Sequence, residues 1–296
     1  MKNVFVTGTS SGFGKLTAEA LVRGGHNVFA TMRDPYGRNT DAAEALRQLD
    51  GPGRLHVIAC DVTDDIAVEK AVREAMEAEG HIDVVVNNAG AGSMGMTEAF
   101  TPEAMQALFD LNVFGPHRVN RWALRAMRDR AQGGLLIHVS STLGRMVFPY
   151  CGVYTASKFA LEALAETMRY ELAPLGIDSV IVEPGGYATD FFGSMRKADD
   201  AQCLATLGDA KQAPVDFWAQ LAQGLASGDA PPPTLVADAI VELVEMEGPR
   251  PLRTVVDPNL GAGPEKLNGA QAELQRSMFE ALQIADRLAG PKSQLG

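Results

Sequence analysis

Tyr154 and Lys158 stand four residues apart in Tyr154-Thr155-Ala156-Ser157-Lys158, on a stretch of helical period, so their side chains share a face. Free tyrosine has a pKa of about 10 and is a poor base near neutrality. An ammonium beside it favours the phenolate and lowers that pKa. The pair then has the chemistry of a general acid/base that gives or takes a hydroxyl proton. A Tyr-x-x-x-Lys pair is also a common surface arrangement, so its surroundings must decide its meaning.

A second group lies in Thr7-Gly8-Thr9-Ser10-Ser11-Gly12-Phe13-Gly14, between the first strand-like run and a helical segment. Gly8, Gly12 and Gly14 let the backbone turn tightly and approach a pyrophosphate, and the following helix offers free N–H groups and a partial positive charge. A Gly-rich turn can be merely structural. Its place in the first βα unit of the chain favours a dinucleotide.

After the second strand the chain reads Ala30-Thr31-Met32-Arg33. Met32 takes the position where NAD-binding units carry an acidic residue for the ribose 2′-hydroxyl, and Arg33 follows it. A guanidinium binds a 2′-phosphate with paired donors, and Ser10 and Ser11 can add hydrogen bonds. NADP(H) is therefore expected over NAD(H). Asp34 partly offsets Arg33, which could otherwise be a solvated surface charge.

The elements that must position these residues alternate. Short, nearly all-apolar runs at Asn3–Thr7, Asn27–Thr31, Leu55–Ala59, Val84–Val86, Leu135–Val139, Ser179–Val182 and Arg253–Val256 read as strands buried on both faces. Helical patterns occupy Lys15–Arg23, Asp41–Leu49, Ile66–Glu79, Pro102–Arg130, Tyr154–Ala173 and Thr234–Met246. Thr101-Pro102-Glu103 has the form of an N-cap, a proline at the first helical position and an acidic first turn. The alternation implies an α/β fold: a Rossmann-like, doubly wound parallel sheet of seven strands in one domain over 1–296. Residues 190–233 show no strand signal and read as a substrate lid. Residues 258–296 form a C-terminal extension with a helix over about Glu265–Leu288.

With 26 basic and 37 acidic residues, the net charge of −11 gives no footprint for nucleic acid or anionic lipid. No apolar run is long enough to cross a membrane, and Met1–Thr7 leads straight into a strand without a leader pattern. Cys60, Cys151 and Cys203 form no C-x-x-C pair, so neither a disulfide framework nor a metal site is expected, and a reducing cytoplasm fits best.

The spacing G-x-x-x-G-x-G, with Tyr154 and Lys158, resembles the short-chain dehydrogenase/reductase superfamily. Further stretches carry the resemblance. Asp61-Val62 follows the third strand, Asn87-Asn88-Ala89-Gly90 the fourth, and Ser141 stands at the end of the fifth. Asn112 lies in Asp110-Leu111-Asn112-Val113, and Pro184-Gly185-Gly186-Tyr187-Ala188-Thr189 follows the sixth strand. The match is dense over residues 2–189 and loose to 257. The strings Ala-Thr-Met-Arg-Asp and Tyr-Thr-Ala-Ser-Lys-Phe-Ala-Leu-Glu are similar to the branch of steroid 17β-dehydrogenases and retinol dehydrogenases.

The resemblance implies roles. Ser141 orients a carbonyl and stabilises its developing charge; Ser140, on the other side of the strand, is the weaker candidate. Tyr154 exchanges the proton while hydride moves to or from the nicotinamide, whose ribose Lys158 holds. Asn112 supports a water leading from Lys158 to solvent. Asp61 and Val62 hold the adenine, and Asn88, Ala89 and Gly90 touch the cofactor. Pro184, Gly185, Tyr187 and Thr189 cover the nicotinamide.

A hydride-transfer site with an oxyanion-stabilising serine implies a carbonyl/alcohol pair. Met94, Met96, Leu143, Met146, Phe148, Tyr187, Phe191 and Phe192 are its expected walls. They are mostly apolar, with adaptable methionines, and point to a hydrophobic ketone, aldehyde or alcohol; some of them could equally be plain core. His138 is expected to be a satisfied core histidine, and Phe217 and Trp218 belong to the lid or a subunit contact. A non-catalytic NADP(H)-sensing protein would keep the glycine turn but could lose the tyrosine, lysine or serine. A sugar-nucleotide epimerase would more often carry G-x-x-G-x-x-G, and a methyltransferase has no use for Tyr154 and Lys158. The family implies a homodimer or homotetramer built on the two long helices.

Overall fold

The computed structural model describes residues 1–130, 132–225 and 230–288. Seven strands form one parallel sheet in the order β3 (Leu55–Ala59), β2 (Asn27–Met32), β1 (Asn3–Thr7), β4 (Val84–Asn87), β6 (Gly134–Val139), β7 (Ile177–Pro184) and β9 (Arg253–Val256). Strand order reverses beside β1, between β2 and β4, and the ends of the strands there open a crevice.

Alternation along each strand fills two cores. One face carries Val4, Val6, Val28, Ala30, Val86, Ile137 and Val139, covered by α1 (Gly12–Arg23), α2 (Thr40–Arg47) and α9 (Thr234–Glu245). The other carries Phe5, Phe29, Val85 and Leu136, covered by α3 (Asp65–Glu79), α5 (Gly115–Arg130) and the end of α6 (Gly152–Leu172). Each fully buried aliphatic or aromatic side chain contributes about 1.5–3 kcal/mol, so the sheet is a rigid platform for the loops at its edge.

Three elements depart from the sequence expectation. The single helix expected over Pro102–Arg130 is divided. α4 (Pro102–Phe109), capped by Thr101 Oγ1 accepting from the Ala104 amide at 3.2 Å, gives way to a π-helical turn over Asp110–Phe114 before α5. A π turn accommodates one extra residue per turn, which hydropathy does not encode, and Asn112 lies in it. The segment expected to lack strands carries β8 (Arg196–Lys197), paired in parallel with β5 (Ser93–Met94); two residues are too few for a periodic signal. It also carries α7 (Ala201–Thr206) and α8 (Ala213–Leu225). The extension forms α10 (Ala262–Ala281) and a short turn over Ala285–Leu288. Residues 226–229 of the expected lid and 289–296 of the extension lie outside the described residues. No helix among the described residues is long and apolar enough to cross a membrane, and none of the described side chains form a metal-binding cluster.

Candidate active site

The site begins where β1 runs out. Gly8 and Gly12 have φ of +71° and +54°, a region that favours glycine. A Cβ on Gly14 would lie 2.3 Å from both the Gly8 carbonyl oxygen and Asn88 Nδ2, so helix and turn pack backbone against backbone there. Asn88 clamps this turn, donating from Nδ2 to the carbonyls of Thr7 (2.8 Å) and Gly8 (3.1 Å). Thr7 Oγ1 in turn accepts from the amides of Asn88 and Ala89, each at 3.0 Å. The N-cap Ser11 makes no side-chain cap bond, and the first turn of α1 holds no acidic residue. The helix start therefore keeps donors for an anionic group, as a dinucleotide pyrophosphate requires.

A cavity of about 500 Å³ runs from this turn along the sheet edge to Tyr154, Lys158 and Thr189. Asp61, Val62, Ala89 and Gly90 line its middle. Its outer end is lined by Ser10, Ser11, Arg33, Arg38 and Asn39. Arg38 and Asn39 were not among the residues the sequence singled out; they sit in an aperiodic loop where no pattern marks them. Asn39 Nδ2 donates to the Arg33 carbonyl and holds the loop. Asp34, the charge feared to offset Arg33, turns its carboxylate back onto the Arg38 amide at 2.9 Å. Burial works to raise the Asp61 carboxyl, but hydrogen bonds from the Thr63 amide and hydroxyl, with Arg33 and Arg38 nearby, hold it below the usual range.

At the inner end, Tyr154 and Lys158 project from one face of α6 and both are buried. Lys158 Nζ lies 5.7 Å from the Tyr154 ring centroid and donates to the Val139 carbonyl at 2.9 Å. Ser141, at the end of β6, accepts from the Leu143 amide at 3.1 Å and donates to the Pro184 carbonyl at 3.5 Å. The expected lowering of the Tyr154 pKa by Lys158 is not what this structure shows. Burial pushes the phenol up to about 12, outweighing the smaller downward pull of the neighbouring Ser141 side chain. Burial likewise pushes Lys158 down to about 8, against the pull of Glu162.

Asn112 spends its side chain on structure. Its amide donates to the Ala91 carbonyl (2.9 Å) and to Ser157 Oγ (3.0 Å), while Oδ1 accepts from the Ala91 amide at 3.0 Å. It thus ties the segment after β4 to α6, one residue before Lys158.

The expected substrate walls divide. Met94, Leu143, Phe148, Phe191 and Phe192 gather around Cys151, Met195 and Trp218 in an apolar box. Phe191 meets the Tyr154 ring edge-on, with centroids 5.7 Å apart. Trp218 Nε1 is buried in this box without an acceptor among the described residues. Met96 is half-buried apart from that cluster, and Met146 lies at the surface beside Gly263 of α10. Tyr187 corrects the expectation: its ring turns into the core against Phe13, and its hydroxyl donates to the Val256 carbonyl at 2.9 Å. A side chain leaving the end of β7 toward the α1 face finds apolar packing and a strand carbonyl there, so it is not a substrate wall. Gly185 approaches Asp257 so closely that a Cβ would lie 2.0 Å from the carboxylate. Thr189 Oγ1 accepts from the Phe191 amide at 3.4 Å. His138 is buried and, pushed down to about 4 by burial, neutral. Neither ring nitrogen has a partner among the described residues, so it is not the satisfied histidine expected.

A parallel sheet with a glycine turn at its switch point and a buried Tyr/Lys/Ser group defines the class of dinucleotide-dependent oxidoreductases. Residues 2–200 match the family model of the short chain dehydrogenases, and the chain belongs to that family. It is 37% identical over 188 residues to a 3-ketodihydrosphingosine reductase of Bacteroides thetaiotaomicron, covering 64% of this chain and 65% of that relative's length. It is 34% identical over 259 residues to retinol dehydrogenase 8 of Bos taurus, covering 85% of this chain and 80% of the other. A short-chain dehydrogenase structure from Streptomyces avermitilis superposes with a TM-score of 0.76 at 32% identity, covering 96% of this chain and 98% of that one.

Proposed function

We propose that the protein interconverts an apolar ketone or aldehyde and its alcohol with NADP(H). The observation that carries this is a single cavity with two arginines at one end and the Tyr154–Lys158 pair at the other. Arg33, Arg38, Ser10, Ser11 and Asn39 form a donor set suited to a 2′-phosphate. The uncapped start of α1 takes the pyrophosphate, and Asp61 and Val62 flank the adenine. Gly90, Pro184, Gly185, Thr189 and the backbone of Tyr187 close on the nicotinamide, and Lys158 holds its ribose. When bound, the dinucleotide supplies or accepts the hydride.

The chain's own residues do the rest. Ser141 holds the carbonyl oxygen, and Tyr154, kept protonated by burial, hands it a proton. The water supported by Asn112 would return that proton from solvent through Lys158. The box of Phe148, Phe191, Phe192 and Trp218 takes the apolar body of the substrate, with residues 190–233 as its lid. Two relatives are named a 3-ketodihydrosphingosine reductase and a retinol dehydrogenase. We further infer one domain, working in a reducing compartment as a homo-oligomer through α5 and α6, with Phe114 in the turn before α5 and Phe159 and Leu164 of α6 exposed.

The test is consumption of NADPH and NADH with a panel of aliphatic, aromatic and polycyclic ketones. Turnover with NADPH preferred supports the proposal. Tight NADPH binding without turnover of any carbonyl would favour a cofactor-sensing protein.

A further inference from the structure

Behind the catalytic pair lies a polar cluster that hydride chemistry does not use. Tyr154, Lys158, Glu162 and Glu166 follow one another at four-residue steps along a single face of α6. Arg253 of β9 gathers the far end of this stripe. Its Nε lies 2.8 Å from Glu162 and 3.3 Å from Glu183 of β7, and its Nη2 lies 2.6 Å from Glu166. Glu162 and Glu183 are fully buried.

Helix α10 completes the cluster from outside. Asn268 Nδ2 donates to Glu183 at 2.6 Å, and Gln271 Nε2 donates to Glu166 at 3.3 Å. Both residues also accept from one arginine. Arg145 Nε donates to Asn268 Oδ1 at 2.8 Å, and its Nη2 donates to Gln271 Oε1. Arg145 directly follows the tight turn Thr142–Gly144, whose N-cap is Ser141. The network therefore touches all three segments that meet at the reacting centre: the Ser141 turn, the Lys158 helix, and β7, whose Pro184 carbonyl accepts from Ser141. None of α10 falls within the residues matched by the family model.

Buried ion clusters are poor sources of stability; apolar side chains of the same volume often do as well or better. What such a cluster does supply is fixed geometry, because its members are held by several directed bonds at once, although Glu162 Oε1 and Glu183 Oε1 have no hydrogen-bond partner among the described residues. Here that geometry spans the catalytic segments.

We propose that α10 is a positioning element of the active centre: Asn268 and Gln271 hold Arg145, and through it the turn that presents Ser141 to Tyr154. Its kinetic consequence rests on the carbonyl-reductase reading above.

The test uses the full chain carrying Asn268→Ala and Gln271→Ala, two half-buried positions of α10 away from the cavity. In the cofactor-free protein, amide exchange at Leu143 and Gly144 should quicken, since their N–H groups are held by Ser141. With NADPH and a ketone the wild type reduces, kcat should fall about 10- to 100-fold, the scale set by a small misplacement of a reacting group. The NADPH dissociation constant should change less than about twofold. The primary isotope effect with 4-deuterated NADPH should rise. Arg145→Lys keeps the charge but cannot span both acceptors, and should reproduce the loss. Joined to the double variant it should add nothing. A lowered Tm with kcat and the exchange of Leu143 and Gly144 unchanged would overturn the proposal, leaving α10 as packing only. Failure of the wild type to reduce any carbonyl would sink the functional reading instead, while the exchange experiment would still decide this one.

Discussion

Lys158 Nζ donates to the Val139 carbonyl across 2.9 Å, so the lysine one helical turn from Tyr154 is pinned to the end of strand β6. The bond fixes an ammonium beside a buried phenol at the wall of the cavity. Lys158→Met should reduce kcat by about 10²- to 10⁴-fold, the usual worth of a positioned proton-transfer system. NADPH affinity, followed by fluorescence titration, should weaken in parallel. A variant with kcat and affinity both near wild type would show that Lys158 only packs.

Arg33 and Arg38 line the same end of the cavity. Charge-assisted hydrogen bonds to a phosphate are worth about 1.5–3 kcal/mol each, so Arg33→Ala and Arg38→Ala should each raise the KM for NADPH about 10- to 100-fold. The KM for NADH should move by less than about threefold. Equal losses with both cofactors would place these arginines elsewhere than on a 2′-phosphate.

Phe191 shields Tyr154, and burial is the largest cause of the raised phenol pKa. Phe191→Ala should admit water and bring Tyr154 down toward its ordinary value. Reduction needs the protonated phenol, so the alkaline limb of the pH–kcat profile should move to lower pH. The KM for bulky ketones should rise about tenfold through lost apolar contact, with little change for the smallest ketones. An unmoved alkaline limb would separate Phe191 from the tyrosine.

Burial first, and the neighbouring Glu162 second, push the Glu183 carboxyl up to about 8. The folded protein therefore holds a proton that the unfolded chain releases near pH about 4.3. Stability from this group is complete below that lower value and declines until pH passes through about 8. Urea midpoints should fall across this range, and Glu183→Gln, which cannot ionise, should show a flatter dependence. Parallel pH slopes for the two proteins would contradict the assignment.

Much of this architecture was legible in the chain because strands buried on both faces leave unbroken apolar runs, and the phosphate turn needs glycines at set positions. Tyr154 and Lys158 could be paired because a helix returns every fourth residue to one face. The π turn around Asn112 was not legible, since one extra residue in a helical turn leaves the hydropathy pattern nearly intact. Arg38 sits in a loop whose path depends on Asp34 and Asn39 folding back on it. The direction of the Tyr187 ring depends on how the turn after β7 meets α1. The docking of α10 rests on polar groups such as Arg145 and Asn268, which look like surface residues until their partners are known. The Tyr154 pKa is a sum of burial and charge that only the packed structure reveals.

The most direct measurement compares wild type and Tyr154→Phe for NADPH consumption with an apolar ketone, alongside NADPH binding. The expected result is turnover by the wild type, a loss of about 10²- to 10⁴-fold in kcat on removing the phenol oxygen, and NADPH binding unchanged within about twofold. Turnover by Tyr154→Phe at the wild-type rate would contradict the assignment of Tyr154 as the proton donor.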